Sequence, residues 1–289
     1  MHLPDIEGCI ESFDGTSIAW QSFGQGPAIL VANGLGVSWK GMSLQIEHLM
    51  HDYQVICWDY RGSYASDKPR SSDLGVHVHA RDAHEVLKKL GIEQAHIIGW
   101  SMGVQVAIEM LRVAPNLPTR FALMGGVPYS PFKATSVVPL AHRLLRRLTG
   151  ASAPFAPLAS PLIRRALRSP SFFPLAKKFR YIRPDINREV FLQMARGVSR
   201  QDFGLYLRTL AALGRHDGSV PFEQTAVPIL FIAGEKDGMI RPRVVKKVVQ
   251  KAKNVHVEIL PDCSHFALLE EPDLVNKLLE EFFLRAQPV

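Results

Sequence analysis

The sequence predicts an α/β fold: a mostly parallel central sheet flanked by helices, with a helical segment inserted into it. Three observations predict this. Short continuous apolar runs at residues 28–32, 54–58, 95–98, 120–124 and 227–233 read as strands buried on both faces, as a parallel sheet requires. Stretches with helical spacing separate these runs, so strands and helices alternate as right-handed crossovers demand. From residue 132 to 220 the alternation stops, and the charge changes with it. That stretch holds 16 Lys+Arg against 4 Asp+Glu, a net of +12, whereas the remainder is mildly acidic at −5 and the whole chain is +7. The expected organisation is a core of residues 1–131 and 221–289, with a basic helical cap at 132–220 following the strand after Ser101.

The elements follow in order. Residues 8–24 read as two short strands turned at Asp14-Gly15, a hairpin signal. The 28–32 strand runs into Asn33-Gly34-Leu35-Gly36, too glycine-rich for an ordinary connector. A short helix at 42–50 leads to the 54–58 strand, which ends at Asp59-Tyr60-Arg61-Gly62. Residues 76–90 are helical and stop at Gly91. In the cap, 137–149 and 185–214 read as helical, with Ser199 and Asp202 resembling a capping box and Gly197 and Gly214 as stops. Pro154, Pro157, Pro161, Pro170 and Pro174 permit only short helical pieces between them. Beyond the 227–233 strand come a basic helix at 242–252, an alternating strand at 254–260 and a closing helix at 271–285.

Composition narrows the function classes. No apolar run is long enough to span a bilayer, and no charged start precedes an apolar leader. Cys9, Cys57 and Cys263 are odd in number and lack metal-ligand spacing, so a reducing, cytoplasmic setting is expected, with Cys9 and Cys57 as buried thiols. No metal or cofactor is implied. His77, His79 and His84 do not share a face that suits a metal and read as solvated surface. No nucleic-acid-binding motif accompanies the basic segment.

The chemistry centres on Gly99-Trp100-Ser101-Met102-Gly103, which closes a strand and opens a helix. Small residues at 99 and 103 permit a tight turn that lifts the Ser101 hydroxyl clear of the sheet. Serine is a weak nucleophile without a base, and the base needs an acid to fix its tautomer. In an open parallel sheet such groups gather at the carboxyl ends of strands. Asp237 follows one strand and His265 the last, in the order Ser, Asp, His. His48, His51, His142 and His216 have no strand before them. Asp59 follows a strand and is the runner-up acid, but Arg61 suggests an ion pair for it. Developing negative charge on a substrate oxygen needs donors; Met102 N–H is one candidate, and Leu35 N–H in the glycine-rich loop is the second.

These motifs together resemble the α/β-hydrolase fold, in its capped serine esterase and haloperoxidase-like branch. The likeness runs through Asn33-Gly34-Leu35-Gly36, Asp59-Tyr60-Arg61-Gly62, Gly99–Gly103, Pro228–Asp237 and His265–Pro272. It implies Ser101 as nucleophile, His265 as general base, Asp237 as the acid, and the Leu35 and Met102 amides as oxyanion hole. Three positions depart from the family's pattern: Asn33 stands where His is usual, Tyr64 where Gly is usual, and Ser264 where Gly is frequent. An Asn at 33 can still hydrogen-bond locally, and none of the three removes a catalytic group. Ser at 101 disfavours the branches that use Asp as nucleophile.

The expected activity is serine-dependent hydrolysis of carboxylic esters with apolar, medium-chain or lipid-like acyl groups. The same triad serves C–C bond hydrolases, cofactor-free haloperoxidase-like perhydrolases and acyl-thioester hydrolases, and a non-catalytic binding protein on this fold is the remaining alternative. The partner expected is a small-molecule ester. Arg146, Arg164, Arg165, Lys177 and Lys178, set among Phe155, Leu158 and Phe173, make a peripheral contact with an anionic membrane or acidic substrate a further expectation, against a plainly solvated lid.

Overall fold

The computed structural model describes residues 2–135 and 141–284. Eight strands form one sheet: β1 (Ile6–Glu11), β2 (Ser17–Phe23), β3 (Ala28–Ala32), β4 (Gln54–Trp58), β5 (Ala95–Trp100), β6 (Pro118–Met124), β7 (Ile229–Gly234) and β8 (Val255–Leu260). Their spatial order is β1-β2-β4-β3-β5-β6-β7-β8. The pairings β1/β2 and β2/β4 are antiparallel, and every pairing from β4 to β8 is parallel.

Side chains alternate across the parallel strands into two apolar layers. Leu30, Ile56, Ile97, Phe121 and Phe231 pack on one face with helices α2 (Val76–Lys89) and α3 (Met102–Val113). Ile29, Val55, Ile98, Ala122 and Leu230 pack on the other with α1 (Ser43–Leu49) and, near the C-terminus, α12 (Ala267–Glu270) and α13 (Pro272–Leu284). Because both faces are covered, the strands are apolar throughout, which is why their sequence signal is continuous.

Between β6 and β7 the described chain is helical: α4 (Pro131–Thr135), α5 (Ala141–Ser152), α6 (Ala156–Arg168), α7 (Phe172–Lys178), α8 (Arg188–Val198), α9 (Phe203–Leu213) and α10 (Ser219–Gln224). A basic helix, α11 (Pro242–Val249), follows β7. The first residues of the helix expected at 137–149 lie outside the described residues.

Several local expectations are corrected. Pro161 lies inside the 13-residue α6 rather than ending it. Proline there removes one backbone bond, yet the helix continues through it to Arg168. Gly197 is within α8 rather than a stop. The cap of α9 is Asp202 alone, whose Oδ1 accepts from Gly204 N and Leu205 N at 2.8 and 3.0 Å. Ser199 instead follows α8, its hydroxyl donating to Arg196 O. Cys9 is exposed, not buried: β1 is an edge strand, and Ile10 takes the inward position. Cys57 is buried as expected, and burial pushes its thiol well above the usual range.

Candidate active site

The strand-to-helix turn at Ser101 is as tight as its glycines imply. A Cβ on Gly103 would stand 1.9 Å from Ala32 O, and one on Gly99 would stand 2.6 Å from Gly103 O. Only glycine lets α3 begin this close to β3 and β5. Ser101 itself has φ 56°, an unusual left-handed value for a non-glycine residue. Its amide donates to Met124 O at 2.8 Å, which fixes the turn against β6.

The structure brings together the three side chains singled out in the sequence. His265 Nε2 lies 3.1 Å from Ser101 Oγ, and His265 Nδ1 lies 2.9 Å from Asp237 Oδ2. Asp237 and His265 are buried. The other oxygen of Asp237, Oδ1, accepts from Met239 N at 2.7 Å and Ile240 N at 2.8 Å. Those two amides leave Oδ2 for the imidazole and set the plane of the carboxylate.

The histidine loop is held by residues that the sequence analysis assigned no role. Glu270 is buried; its Oε2 accepts from Ser264 N at 2.6 Å, and its Oε1 accepts from Ser264 Oγ at 2.7 Å and Arg183 N at 2.8 Å. Trp100 Nε1 donates to His265 O at 3.3 Å. The only sequence signal for Glu270 was its place in the His265–Pro272 stretch; Trp100 was visible only as the variable residue of the turn.

Leu35 and Met102 both line the same cavity as Ser101 and His265. Among the described residues no turn or loop hydrogen bond uses either amide. The loop carrying Leu35 backs directly onto the turn at Ser101, since a Cβ on Gly34 would stand 3.5 Å from Ser101 Cβ. Two hydroxyls tie this loop down: Tyr60 donates to Asn33 O at 2.8 Å and Tyr64 to Gly36 O at 2.7 Å. Tyr64 occupies φ 50°, the conformation for which glycine is suited, and its hydroxyl anchors the loop in return. The expectation for Asn33 is corrected: its buried side-chain amide has no partner among the described residues, and its backbone carbonyl makes the contact. Ser264 uses its hydroxyl, which glycine lacks, to bind Glu270.

Two further expectations are overturned. Arg61 does not pair with Asp59; its nitrogens reach Asp82 at 2.6 and 2.8 Å and Asp14 at 2.7 Å. Asp59 is left buried, accepting from Ala65 N at 3.2 Å, and burial lifts its carboxyl to about 6. His79 is not solvated. It falls on the inner face of α2 with Val76, Ala83 and Val86, where burial drives its imidazole down to about 3. His77 is exposed and pairs with Asp73 at 3.0 Å. Among the described residues no cluster of three or more His, Cys, Asp or Glu side chains suits a metal ion.

Above Ser101 and His265 is a cavity of about 310 Å³. Trp100 and Phe266 wall it from the sheet side, and Phe172, Phe191, Met194 and Leu210 from the helices between β6 and β7. Among the described residues no Arg, Lys, Asp or Glu lines it. Such a space suits a neutral, apolar group and offers no cationic side chain to a carboxylate among the described residues.

A family model described as alpha/beta hydrolase fold matches residues 27–272, most of the chain. The chain belongs to the α/β-hydrolase fold family. This α/β hydrolase is 24% identical over 278 residues to 2-hydroxy-6-oxononadienedioate/2-hydroxy-6-oxononatrienedioate hydrolase 2 of Pseudomonas putida, covering 91% of this chain and 90% of that one. Among solved structures it is similar to an esterase from Exiguobacterium antarcticum, with a TM-score of 0.78 at 18% identity, covering 96% of this chain and 99% of that one. It is likewise similar to a bromoperoxidase from Bacillus anthracis, with a TM-score of 0.79 at 15% identity over 96% of this chain and all of that one. At these identities the structural likenesses speak to the fold of the α/β hydrolase, not to its substrate. Among the described residues no helix is long and apolar enough to cross a membrane.

Proposed function

We propose that the protein is a serine hydrolase of carboxylic esters with neutral, apolar acyl groups, working through an acyl-enzyme. The observation that carries the reading is the aligned chain of contacts from Ser101 through His265 to Asp237 at the floor of an uncharged apolar cavity. His265 Nε2 takes the Ser101 proton as Oγ attacks the acyl carbonyl. The Nδ1–H faces Asp237 Oδ2, which holds the imidazole in the tautomer with a free Nε2 and stabilises it once charged. The carbonyl oxygen, now negative, lies between the Leu35 and Met102 amides, and the positive end of α3 adds to its stabilisation. Nε2 then returns the proton to the departing alcohol. Water attacks the acyl-enzyme by the same route in reverse, releasing the acid and restoring Ser101.

The Pseudomonas putida relative is named for a dianionic substrate with a C–C bond to be cleaved. Two carboxylates are held best by cationic partners, and among the described residues no Arg or Lys lines this cavity. That favours the ester reading over the C–C one. The test is hydrolysis of a p-nitrophenyl ester series of increasing acyl length by wild type and Ser101→Ala. Turnover lost in Ser101→Ala, with an optimum beyond acetate, supports the reading. Equal turnover in both proteins, or none on any ester of the series, overturns it.

A further inference from the structure

The surface of the helices between β6 and β7 is built against the usual rule for a soluble helix. Ten of the eighteen large apolar side chains exposed among the described residues fall between Leu144 and Tyr181. On α6, Leu158 and Leu162 stand one turn apart and are 82% and 73% exposed; Phe155 at the head of the helix is 66% and Phe179 after α7 is 75% exposed. On α5, Leu144 and Leu148 form a second exposed pair at the same spacing. A surface helix normally turns such a stripe inward.

These helices do have an inner face, and it is a different one. Ala153, Ala156 and Ser160 are buried. Gly150 and Ala153 lie against α9: a Cβ on Gly150 would meet Ala211 Cβ at 3.5 Å, and one on Gly204 would meet Ala153 O at 3.2 Å. The leucines therefore point away from the protein.

Charge says what they point toward. The sequence has no Asp or Glu between Glu109 and Asp185, while α5–α7 and the turn after them carry a run of Arg and Lys. Arg143, Arg147, Arg165, Lys178 and Arg180 are exposed, and none of them takes part in a salt bridge among the described residues. A second copy of the chain would bring the same positive face against itself, which like charge opposes. Exposed leucine and phenylalanine interleaved with unpaired arginine match a surface that is anionic outside and apolar beneath.

We propose that the outer face of α5–α7 docks on an anionic lipid bilayer, its Arg and Lys at the phosphates and its Leu and Phe in the acyl boundary. Tyr181 and Met239 line the cavity above Ser101, are themselves exposed, and have their hydroxyl and sulfur 3.5 Å apart. Phe179 and Arg180 immediately precede Tyr181, so docking places this wall of the cavity beside the membrane. An apolar substrate would then pass from bilayer to cavity without crossing water. This last consequence rests on the ester reading; the docking itself does not.

The test is co-sedimentation of the full-length protein with equimolar phosphatidylglycerol/phosphatidylcholine vesicles and with pure phosphatidylcholine vesicles. Binding is expected to the first, to be at least about tenfold weaker on the second, and to weaken with added salt. Each basic side chain near an anionic surface contributes about fivefold, so Arg147→Ala/Arg165→Ala binds roughly 25-fold more weakly. Leu158→Ser/Leu162→Ser loses at least about tenfold through its apolar contribution. All four residues are exposed, and both variants retain wild-type turnover of a short soluble ester. Ser101→Ala binds vesicles like wild type, so a failure to bind lipid is separable from a failure of the ester reading. Equal binding to both vesicles, or none, overturns the proposal. Binding that depends on the arginines and not the leucines overturns it in favour of an electrostatic contact with an acidic partner. A wild-type dimer made monomeric by Leu158→Ser/Leu162→Ser overturns it in favour of self-association.

Discussion

Asp237→Asn separates orientation from charge in this site, and the structure decides which way the new amide turns. Oδ1 of Asp237 accepts two backbone amides, Met239 N at 2.7 Å and Ile240 N at 2.8 Å. An asparagine that put its NH₂ there would oppose both donors and forfeit two hydrogen bonds to a buried group, about 1–3 kcal/mol each. The amide oxygen therefore stays with Met239 and Ile240, and the NH₂ faces His265 Nδ1. A donor at that position makes Nδ1 the acceptor and places the imidazole proton on Nε2. The nitrogen 3.1 Å from Ser101 Oγ then has no lone pair to take a proton. The same change in a Ser-His-Asp triad lowers kcat by about 10⁴, a barrier increase of about 5 kcal/mol. The assay is p-nitrophenyl butyrate hydrolysis near neutral pH, with circular dichroism to show an unchanged fold. A loss smaller than about tenfold would refute the assignment of Asp237 as the residue that fixes the His265 tautomer.

Two predictions concern stability. Asp82→Ala leaves the buried Arg61 guanidinium with Asp14 as its remaining carboxylate, which costs about 3–5 kcal/mol in urea unfolding; a change below about 1 kcal/mol would mean the cluster is not a structural charge network. His79, held near 3 by burial, stays neutral in the folded protein while the unfolded chain takes up a proton near 6.5. Its contribution is complete above pH 6.5 and falls away between there and about 3, amounting to a loss of about 2 kcal/mol at pH 5. In His79→Phe the difference in unfolding free energy between pH 7 and pH 5 shrinks by that amount, whereas an unchanged difference would show that His79 does not titrate in this way.

The parts of the site that were legible in the sequence are those written into local geometry. Gly99 and Gly103 are required by close backbone approaches, and a residue that ends a parallel strand arrives at one edge of the sheet. Ser101, Asp237 and His265 were found on those grounds. What was not legible depends on contacts between distant parts of the chain. Arg61 has two aspartates available far from it in sequence, and nothing near residue 61 tells that Asp82 and Asp14 win over Asp59. His79 shares its inner helical face with Val76 and Ala83, but its residue type favours the surface. Glu270 is buried only because Ser264 and the Arg183 amide meet it from two directions. The prolines around α6 suggested interruption, yet Pro161 lies inside a continuous helix.

The central claim is that Ser101 is the nucleophile activated by His265 and Asp237. Intact-protein and peptide mass spectrometry after treatment with an alkyl fluorophosphonate tests it most directly. One adduct per chain is predicted, on the peptide carrying Ser101, formed in step with the loss of ester turnover and absent from Ser101→Ala. An adduct on another residue, or turnover that survives complete labelling of Ser101, would contradict it.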